Sequence, residues 1–200
     1  MDLNTQENRD SLIGHFNGLR SDKTFEVHSP QDRGYNCIAW AMGFDDRWVD
    51  YILNSPKKWW PKGVDNDYRP ESLVKAFEAL GFEKCEDDDI EKGYDKVALY
   101  KVSPFYDPLS RKRVKEGWSH AARVLTSGQY HSKVGESFDI YHRSGDVFEG
   151  TSYGNIFQFM RRPVEKRDIV ERIKQSEPVQ ITLPPNLDDL IMKVLSGGKL

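Results

Sequence analysis

The sequence contains little cysteine and no long apolar segment. Its two cysteines, Cys37 and Cys85, are too few in 200 residues for the disulfide framework of a small secreted domain, so we expect two free thiols. No apolar stretch is long enough to span a bilayer, and the polar start MDLNTQENRDSL lacks the apolar core of a signal peptide. We therefore predict a cytoplasmic protein without a membrane partner, or one exported by a route that needs no N-terminal signal peptide.

The chain also has no large excess of charge of one sign. Its 29 basic and 32 acidic side chains leave a net charge of −3, which does not favour binding to nucleic acid or to an anionic membrane. The acidic run at 86–89 lacks the glycine and the spaced ligands of a calcium loop, so a solvated turn is the better interpretation. We therefore expect no nucleic-acid partner, no metal and no cofactor.

Apolar residues are sufficient for one folded core. With 38% hydrophobic and 12% aromatic residues, the chain is predicted to form a single central domain over residues 25–163. An N-terminal helix and a lead-in would occupy residues 1–24. Residues 164–200 would form a C-terminal appendage with helices at 165–174 and 186–195 and an extended piece at 179–183.

Helical patterns fill the first half of the chain, and strand patterns fill the second. Apolar spacing, capping residues and glycine stops predict helices at 10–19, 37–42, 46–53 and 70–80. Residues typical of strands predict a sheet with members at 96–102, 119–125, 129–135 and 156–160. This order predicts an α+β fold, in which a cysteine-bearing helix packs on an antiparallel sheet and a helical tail follows.

Cys37 is the candidate nucleophile. It lies in the run YNCIAWAMG at 35–43, where a loop gives way to a short apolar helix. Backbone N–H groups at the start of a helix favour a thiolate over a thiol, and the thiolate is the form that attacks carbonyl groups. A cysteine among Ile38, Ala39 and Trp40 is also typical of simple core packing.

A nucleophilic cysteine needs a base, and His120 is the best candidate. It opens a predicted strand after a glycine-containing loop. A two-residue turn at 127–128 would place His120 opposite Gly135, with Lys133 diagonal to it. His131 would then lie about four residues along the strand from His120, too far away to orient it.

Several ordered motifs carry a resemblance to known proteins: YNCIAWA at 35–41, KVALY at 96–100, SHAAR at 119–123, SKVG at 132–135 and DIYH at 139–142. A helix-borne cysteine followed by an antiparallel sheet with a histidine at a strand start resembles the papain-like superfamily, especially its NlpC-type bacterial hydrolases. The motifs themselves resemble an uncharacterised bacterial domain family with an NCIAWA hallmark. The resemblance implies a papain-like fold, with Cys37 as nucleophile and His120 as base.

The resemblance leaves the third catalytic residue open. NlpC-type hydrolases carry a polar side chain on the strand after the histidine. This chain offers three polar side chains there: His131, Ser132 and Lys133. Asp139 and His142 are further candidates. We expect Asp139 to orient His120, because a carboxylate accepts the imidazole N–H and stabilises the charged ring.

Donors for the oxyanion are expected close to the cysteine. The backbone N–H of Cys37 is available at a helix start, and Asn36 is the nearest side-chain donor. Gln31 precedes the cysteine by the spacing of the oxyanion glutamine of papain. Lys133 and His142 complete the set of candidate oxyanion or substrate-binding residues.

These residues predict a cysteine hydrolase, a peptidase or amidase that acts on a peptide or protein amide bond. Cys37 would attack the carbonyl carbon, and His120 would take the thiol proton and return it to the leaving amine. Two alternatives stay open. A non-catalytic binding or immunity module would keep Cys37 only for packing. An acyltransferase or transglutaminase-like toxin would use the same two residues with an amine in place of water.

Overall fold

The fold is known from a computed structural model, which describes residues 2–178. Its helices are α1 (Gln6–His15), α2 (Cys37–Met42), α3 (Pro70–Glu78) and α4 (Asp168–Ser176). Its strands are β1 (Glu26–Ser29), β2 (Trp48–Val49), β3 (Lys58–Trp59), β4 (Glu83–Cys85), β5 (Tyr94–Val102), β6 (Phe105–Asp107), β7 (Lys112–Val114), β8 (Gly117–Val124), β9 (Tyr130–Lys133), β10 (Asp139–His142) and β11 (Asn155–Pro163). No helix in this part of the chain is long and apolar enough to cross a membrane.

Seven of the strands form one sheet in the order β1-β10-β9-β8-β5-β11-β4. Every neighbouring pair in this sheet is antiparallel. A short parallel ladder joins β2 to β3, and β6 pairs with β7 in a hairpin. The predicted α+β class, with a mainly antiparallel sheet and a helix towards the C-terminus, is confirmed. The pieces predicted at 179–183 and 186–195 lie outside the described residues.

The sheet separates two hydrophobic clusters. Helices α2 and α3 pack on Val97, Leu99 and Ala121, on what we call the helix face, and α4 adds Val170 to this cluster. Ala98 and Ala122 point to the opposite side, the far face, because neighbouring residues of a strand alternate between faces. Buried side chains from the N-terminal segment cover the far face: Leu12, Phe16, Leu19, Phe25 and Val27. The segments before and after the central strands therefore pack on the same sheet.

The short helix α2 begins and ends where the sequence predicts. The side chain of Asn36 accepts a hydrogen bond from the Ala39 N–H at 3.0 Å, which caps the first turn. Gly43 ends the helix with a left-handed φ of +111°, a conformation that glycine adopts without a steric penalty. Cys37 is consequently fixed as the first residue of the helix.

Some predicted elements are wrong. The helix predicted at 46–53 does not form, and β2 lies there instead. The Asn36 side chain bonds to both the N–H and the C=O of Val49, at 3.2 and 2.9 Å, and so holds this segment extended. The first helix starts earlier than predicted, because the Thr5 hydroxyl accepts the Asn8 N–H and caps it at Gln6. Six further strands were not predicted: β1, β3, β4, β6, β7 and β10.

The hairpin that joins β8 to β9 differs from the prediction by one residue. Arg123 pairs with His131, and Val124 pairs with Tyr130. The turn between them contains three residues with Gly128 at a φ of +83°, which is a regular hairpin loop in which the last residue is left-handed. The predicted two-residue turn is therefore wrong.

This difference changes which side chains share a face with His120. Shifting a strand by one residue moves each of its side chains to the other side of the sheet. Ser132 now lies on the far face with His120, and the two side chains are hydrogen-bonded. Lys133, predicted to lie diagonal to His120, instead contacts Tyr35 on the helix face.

A tight turn before β11 brings Tyr153 onto the ring of His120. Gly150 N–H donates to the Gly154 carbonyl at 3.1 Å, and both glycines are left-handed, with φ of +71° and +73°. A Cβ on Gly154 would lie 1.9 Å from the Lys101 carbonyl oxygen, whereas a Cβ on Gly150 would meet no atom within 4 Å. The turn can therefore approach β5 this closely only with glycine at 154.

We expect Gly154→Ala to destabilise the protein much more than Gly150→Ala. Each alanine adds about 1 to 2 kcal/mol of left-handed strain. Only Gly154→Ala adds a clash with backbone, which should bring its total cost to roughly 4 kcal/mol or more. Urea unfolding of both variants measures the difference, and equal losses of unfolding free energy would contradict the close approach.

Candidate active site

Cys37 lies where α2 crosses β8 and β9 on the helix face. The residue is 7% exposed. Burial raises the pKa of the Cys37 thiol to about 11, although the N–H groups of Cys37, Ile38 and Ala121 lie against the sulfur and act in the opposite direction. The positive charge of Lys133 also lowers this pKa. Burial outweighs these effects, so the thiol is protonated at neutral pH.

His120 is completely buried on the far face. Its ring stacks on Tyr153 with the centroids 4.0 Å apart and an interplanar angle of 3°. The rings of Tyr100 and Phe148 contact it edge-on, each with a centroid distance of 5.2 Å. Burial, with a smaller contribution from the charge of His142, holds the pKa of His120 well below its ordinary value. The ring is therefore neutral at pH 7.

Hydrogen bonds link His120 to two further polar residues. Its Nε2 lies 3.3 Å from the Ser132 hydroxyl, which lies 2.9 Å from Nε2 of His142. Nδ1 of His142 lies 2.8 Å from the Ser144 carbonyl oxygen. Burial lowers the pKa of His142 to about 4, so this ring is also neutral at pH 7. The predicted site residues His120 and His142 therefore meet through Ser132.

The direction of these hydrogen bonds follows from the Ser144 carbonyl oxygen, at which the chain of hydrogen bonds ends. A carbonyl oxygen only accepts, so Nδ1 of His142 carries the proton and its Nε2 is the acceptor. The Ser132 hydroxyl then donates to His142 and accepts from the protonated Nε2 of His120. Nδ1 of His120 is left as an unprotonated nitrogen, and it is buried without a hydrogen-bond partner among the described residues. We call this chain of hydrogen bonds the serine relay.

Cys37 and His120 lie on opposite sides of the sheet, near a gap in its ladder. Cys37 packs in the helix-face cluster, and no hydrogen bond joins it to the His120 ring. Strands β8 and β9 form ladder pairs only at Arg123 and Val124, so they are unpaired at the level of His120. Burial raises the pKa of Tyr153, whose ring stacks on His120, and the charge of a Cys37 thiolate would raise it further. The sulfur is thus within electrostatic reach of the far face.

Asp139 does not orient His120. Its carboxylate accepts a hydrogen bond from the Tyr35 hydroxyl at 2.8 Å and another from the Ser29 hydroxyl. The Lys133 ammonium lies 4.0 Å from Asp139, is fully buried, and donates to the Ser137 carbonyl. The expectation for Asp139 fails because Asp139 and Lys133 pair across β9 and β10 and share the helix face with Cys37.

Asn36, predicted as a side-chain donor for the oxyanion, is already used in other hydrogen bonds. The amide group of Asn36 is used on both sides, since its oxygen accepts from Ala39 and its nitrogen donates to Val49. Gln31 is exposed and makes no hydrogen bond within the described residues. His131 packs against Trp40 on the helix face, 5.0 Å between centroids, and burial lowers its pKa to about 3.

Two residues of the site were missed or left undecided by sequence reasoning. Ser132 stood among three alternatives, and only the three-residue turn places it beside His120. Tyr153 was not identified, because no periodic pattern marks it. The close pair Gly150 and Gly154 was the available signal, since two left-handed glycines indicate a tight turn around it.

The buried thiol of Cys37 makes stability depend on pH. Its pKa is raised from 9.0 to about 11 on folding, so the contribution is fully present below about pH 9 and is lost as the pH rises through about 11. We expect the stability of the wild type relative to Cys37→Ala to fall by about 2 kcal/mol between about pH 8 and about pH 11. Denaturant unfolding across this range measures it.

Cys85→Ala is the matched control for this prediction. Cys85 is only partly buried, so its removal should change the pH dependence much less than removal of Cys37. Parallel pH profiles for the wild type and Cys37→Ala would show that the Cys37 thiol is not desolvated.

Comparison with known proteins identifies a family but no activity. Residues 26–161 match the model of the family described as Domain of unknown function (DUF7689). No curated protein and no solved structure matches the chain. The matched range contains Cys37, His120, Ser132 and His142 and more than half of the chain. The protein therefore belongs to the DUF7689 family.

Proposed function

We propose that the protein is a papain-like cysteine hydrolase that cleaves a peptide or other amide bond. Cys37 is the nucleophile, His120 is the base, and Ser132 with His142 holds the base in place. One observation carries the proposal: the serine relay leaves Nδ1 of His120 unprotonated and buried, with no hydrogen-bond partner in residues 2–178. An unpartnered buried polar atom costs about 1 to 3 kcal/mol, and function is one reason to retain it.

The tautomer of His120 suits a general base. A nitrogen that already carries a proton cannot take another from a thiol, and the serine relay puts the proton on Nε2. In papain-like chemistry a third residue holds the ring in this way while the other nitrogen serves the cysteine. Ser132 replaces Asp139, which we had expected in that role.

The proposed reaction begins from neutral partners. The Cys37 thiol gives its proton to Nδ1 of His120 as the sulfur attacks the substrate carbonyl carbon. The protonated ring then donates to the leaving amine, and a thioester to Cys37 remains. Water, deprotonated by His120, attacks the thioester and releases the acid, which restores the thiol. Backbone N–H groups at the sulfur, from Ile38 and Ala121, are the nearest donors for the oxyanion.

The proton must cross the sheet in this proposal, and the gap between β8 and β9 is the route. Ladder pairs end at Arg123, and Ala121 N–H lies against the Cys37 sulfur just beyond that point. Ala121 directly follows His120 in β8. This route requires the His120 ring to turn out of its stack with Tyr153 while its Nε2 stays near Ser132.

Reactivity of Cys37 tests the base. We expect His120→Gln to slow alkylation of Cys37 by iodoacetamide at neutral pH by about a hundredfold, the usual contribution of a general base. Glutamine keeps a hydrogen bond to Ser132 but cannot take the thiol proton. Peptide mass spectrometry measures the rate, with Cys85 in the same sample as internal standard.

The matched control is His15→Gln, an exposed histidine at the end of α1. It should leave the rate at Cys37 unchanged. Equal rates in the wild type and His120→Gln would remove the support for a dyad. A library of peptide aminomethylcoumarins, with and without a primary amine, then distinguishes hydrolysis from acyl transfer.

Ser132 is a positioning residue, and its role is tested by restoring the hydroxyl. We expect Ser132→Ala to lower the alkylation rate of Cys37 by about tenfold, because the tautomer of His120 is no longer fixed. Ser132→Thr keeps the hydroxyl and should recover most of the rate. A purely structural serine would alter the unfolding free energy in Ser132→Ala without changing the pH profile of alkylation.

The burial of Cys37 favours a second candidate function, a non-catalytic binding module. A thiol with a pKa of about 11 and 7% exposure behaves as a small hydrophobic side chain. This alternative predicts that Cys37 is inert in the wild type and that Cys37→Ala retains full partner binding. The alkylation experiment separates the two candidates directly.

A further inference from the structure

A cavity of about 710 Å³ lies at the C-terminal end of α2, at the other end of the helix from Cys37. Its walls come from α2 and Gly43, from β5 and β8, from the hairpin turn after β8, and from α4. This volume is in the range of sites that hold a small molecule. Cys37 and His120 do not line it, so a ligand here would be independent of the proposed active site.

The charged groups of the cavity wall leave an excess of positive charge. Arg123, Arg162 and Arg167 line the wall, and Asp95 is the carboxylate that pairs with two of them. The remaining charged lining groups are paired with residues outside the cavity wall: Asp168 with Arg172, Glu171 with Lys174, and Lys96 with Asp87 and Glu91. Three arginines thus share one available carboxylate.

Arg123 has donors that the protein does not use. Its Nε donates to the Trp40 carbonyl at 2.7 Å, and its guanidinium lies 3.8 Å above the Trp40 ring. Its two terminal nitrogens make no hydrogen bond to any described residue. Capping the last turn of α2 therefore accounts for one of the three nitrogens and leaves the outer edge of the guanidinium free.

Arg162 adds a second unsatisfied cation. It is 4% exposed, and its Nε is buried without a hydrogen-bond partner in the part of the chain that the structure describes. Its terminal nitrogens reach the Met42 carbonyl and Asp95 at 3.3 Å each. Burial lowers the pKa of Arg123 to about 10, and the charge of Arg162 adds to this effect, so the two cations are close enough to disfavour each other.

We propose that this cavity binds an anionic oxygen group, a phosphate or a carboxylate, on the free edge of Arg123. A guanidinium presents two parallel N–H donors that match the oxygens of such a group, and a bound anion would offset the repulsion from Arg162. Thr126 and Ser127 stand exposed at the mouth of the cavity, where their backbone N–H groups make no hydrogen bond to described residues.

The test is a titration of the full-length, ¹⁵N-labelled protein with sodium phosphate and, separately, with sodium acetate, both at constant ionic strength. We expect saturable shifts of the amide signals of Thr126 and Ser127 with at least one of the two anions. The anion that saturates at lower concentration identifies the ligand class. Constant ionic strength removes general screening, which would not saturate.

Variants of the arginine assign the binding to the cavity. Arg123→Lys keeps a cation that can reach the Trp40 carbonyl but lacks the paired donors, so the dissociation constant should rise about tenfold or more. Arg123→Gln should weaken binding further. Arg20→Gln removes an exposed positive charge that neither lines the cavity nor pairs with a lining carboxylate, and this variant should bind as the wild type does.

Two results would overturn the proposal. One is the absence of saturable shifts in the wild type with both anions. The other is an unchanged dissociation constant in Arg123→Lys, which would leave Arg123 as a helix cap only. Neither result bears on Cys37, because the alkylation experiment reports on the opposite end of α2.

Discussion

The candidate site depends on one constraint, the fixed position of α2 on the sheet. A helix of 6 residues is not stable alone, so groups outside it fix its position. Asn36 caps the first turn and ties it to β2, while Arg123 and Arg162 donate to carbonyl groups of the last turn. Held at both ends, the helix keeps the Cys37 sulfur against β8. The same arginines form the wall of the cavity at its far end.

The pKa of the Cys37 thiol results from opposing effects, of which burial is the largest. Helix-start N–H groups and a nearby lysine would ordinarily produce a thiolate. Here Lys133 is itself buried beside Asp139, and burial lowers the pKa of Lys133. The negative charge of Asp139 partly cancels the positive charge of Lys133, so Lys133 has a smaller effect on the sulfur. Removing the sulfur from water therefore has the larger effect, and the thiol stays protonated. Nucleophilic attack then requires a base at the moment of reaction, which is the role we propose for His120.

Sequence reasoning predicts the elements of this fold better than their register. The start and end of α2 depend on local signals, an asparagine cap and a glycine, and both predictions hold. The segment at 46–53 has helical signals of its own, but hydrogen bonds from Asn36 override them. One additional residue in a turn moved Ser132, not Lys133, onto the face of His120. Such a change of register leaves little signal in the local sequence, yet it determines which side chains lie beside His120.

The choice of Ser132 over Asp139 has a chemical consequence. A carboxylate beside an imidazole raises its basicity, because negative charge stabilises the protonated ring. A hydroxyl that donates to a neutral His142 fixes the ring and its tautomer but supplies no charge. Burial then holds the pKa of His120 low, so a resting thiolate–imidazolium pair with Cys37 is disfavoured. The structure thus combines an imidazole held by hydrogen bonds with a low basicity. In the proposed enzyme, proton transfer would be coupled to attack on a bound substrate, whose entry also changes the solvation of the sulfur.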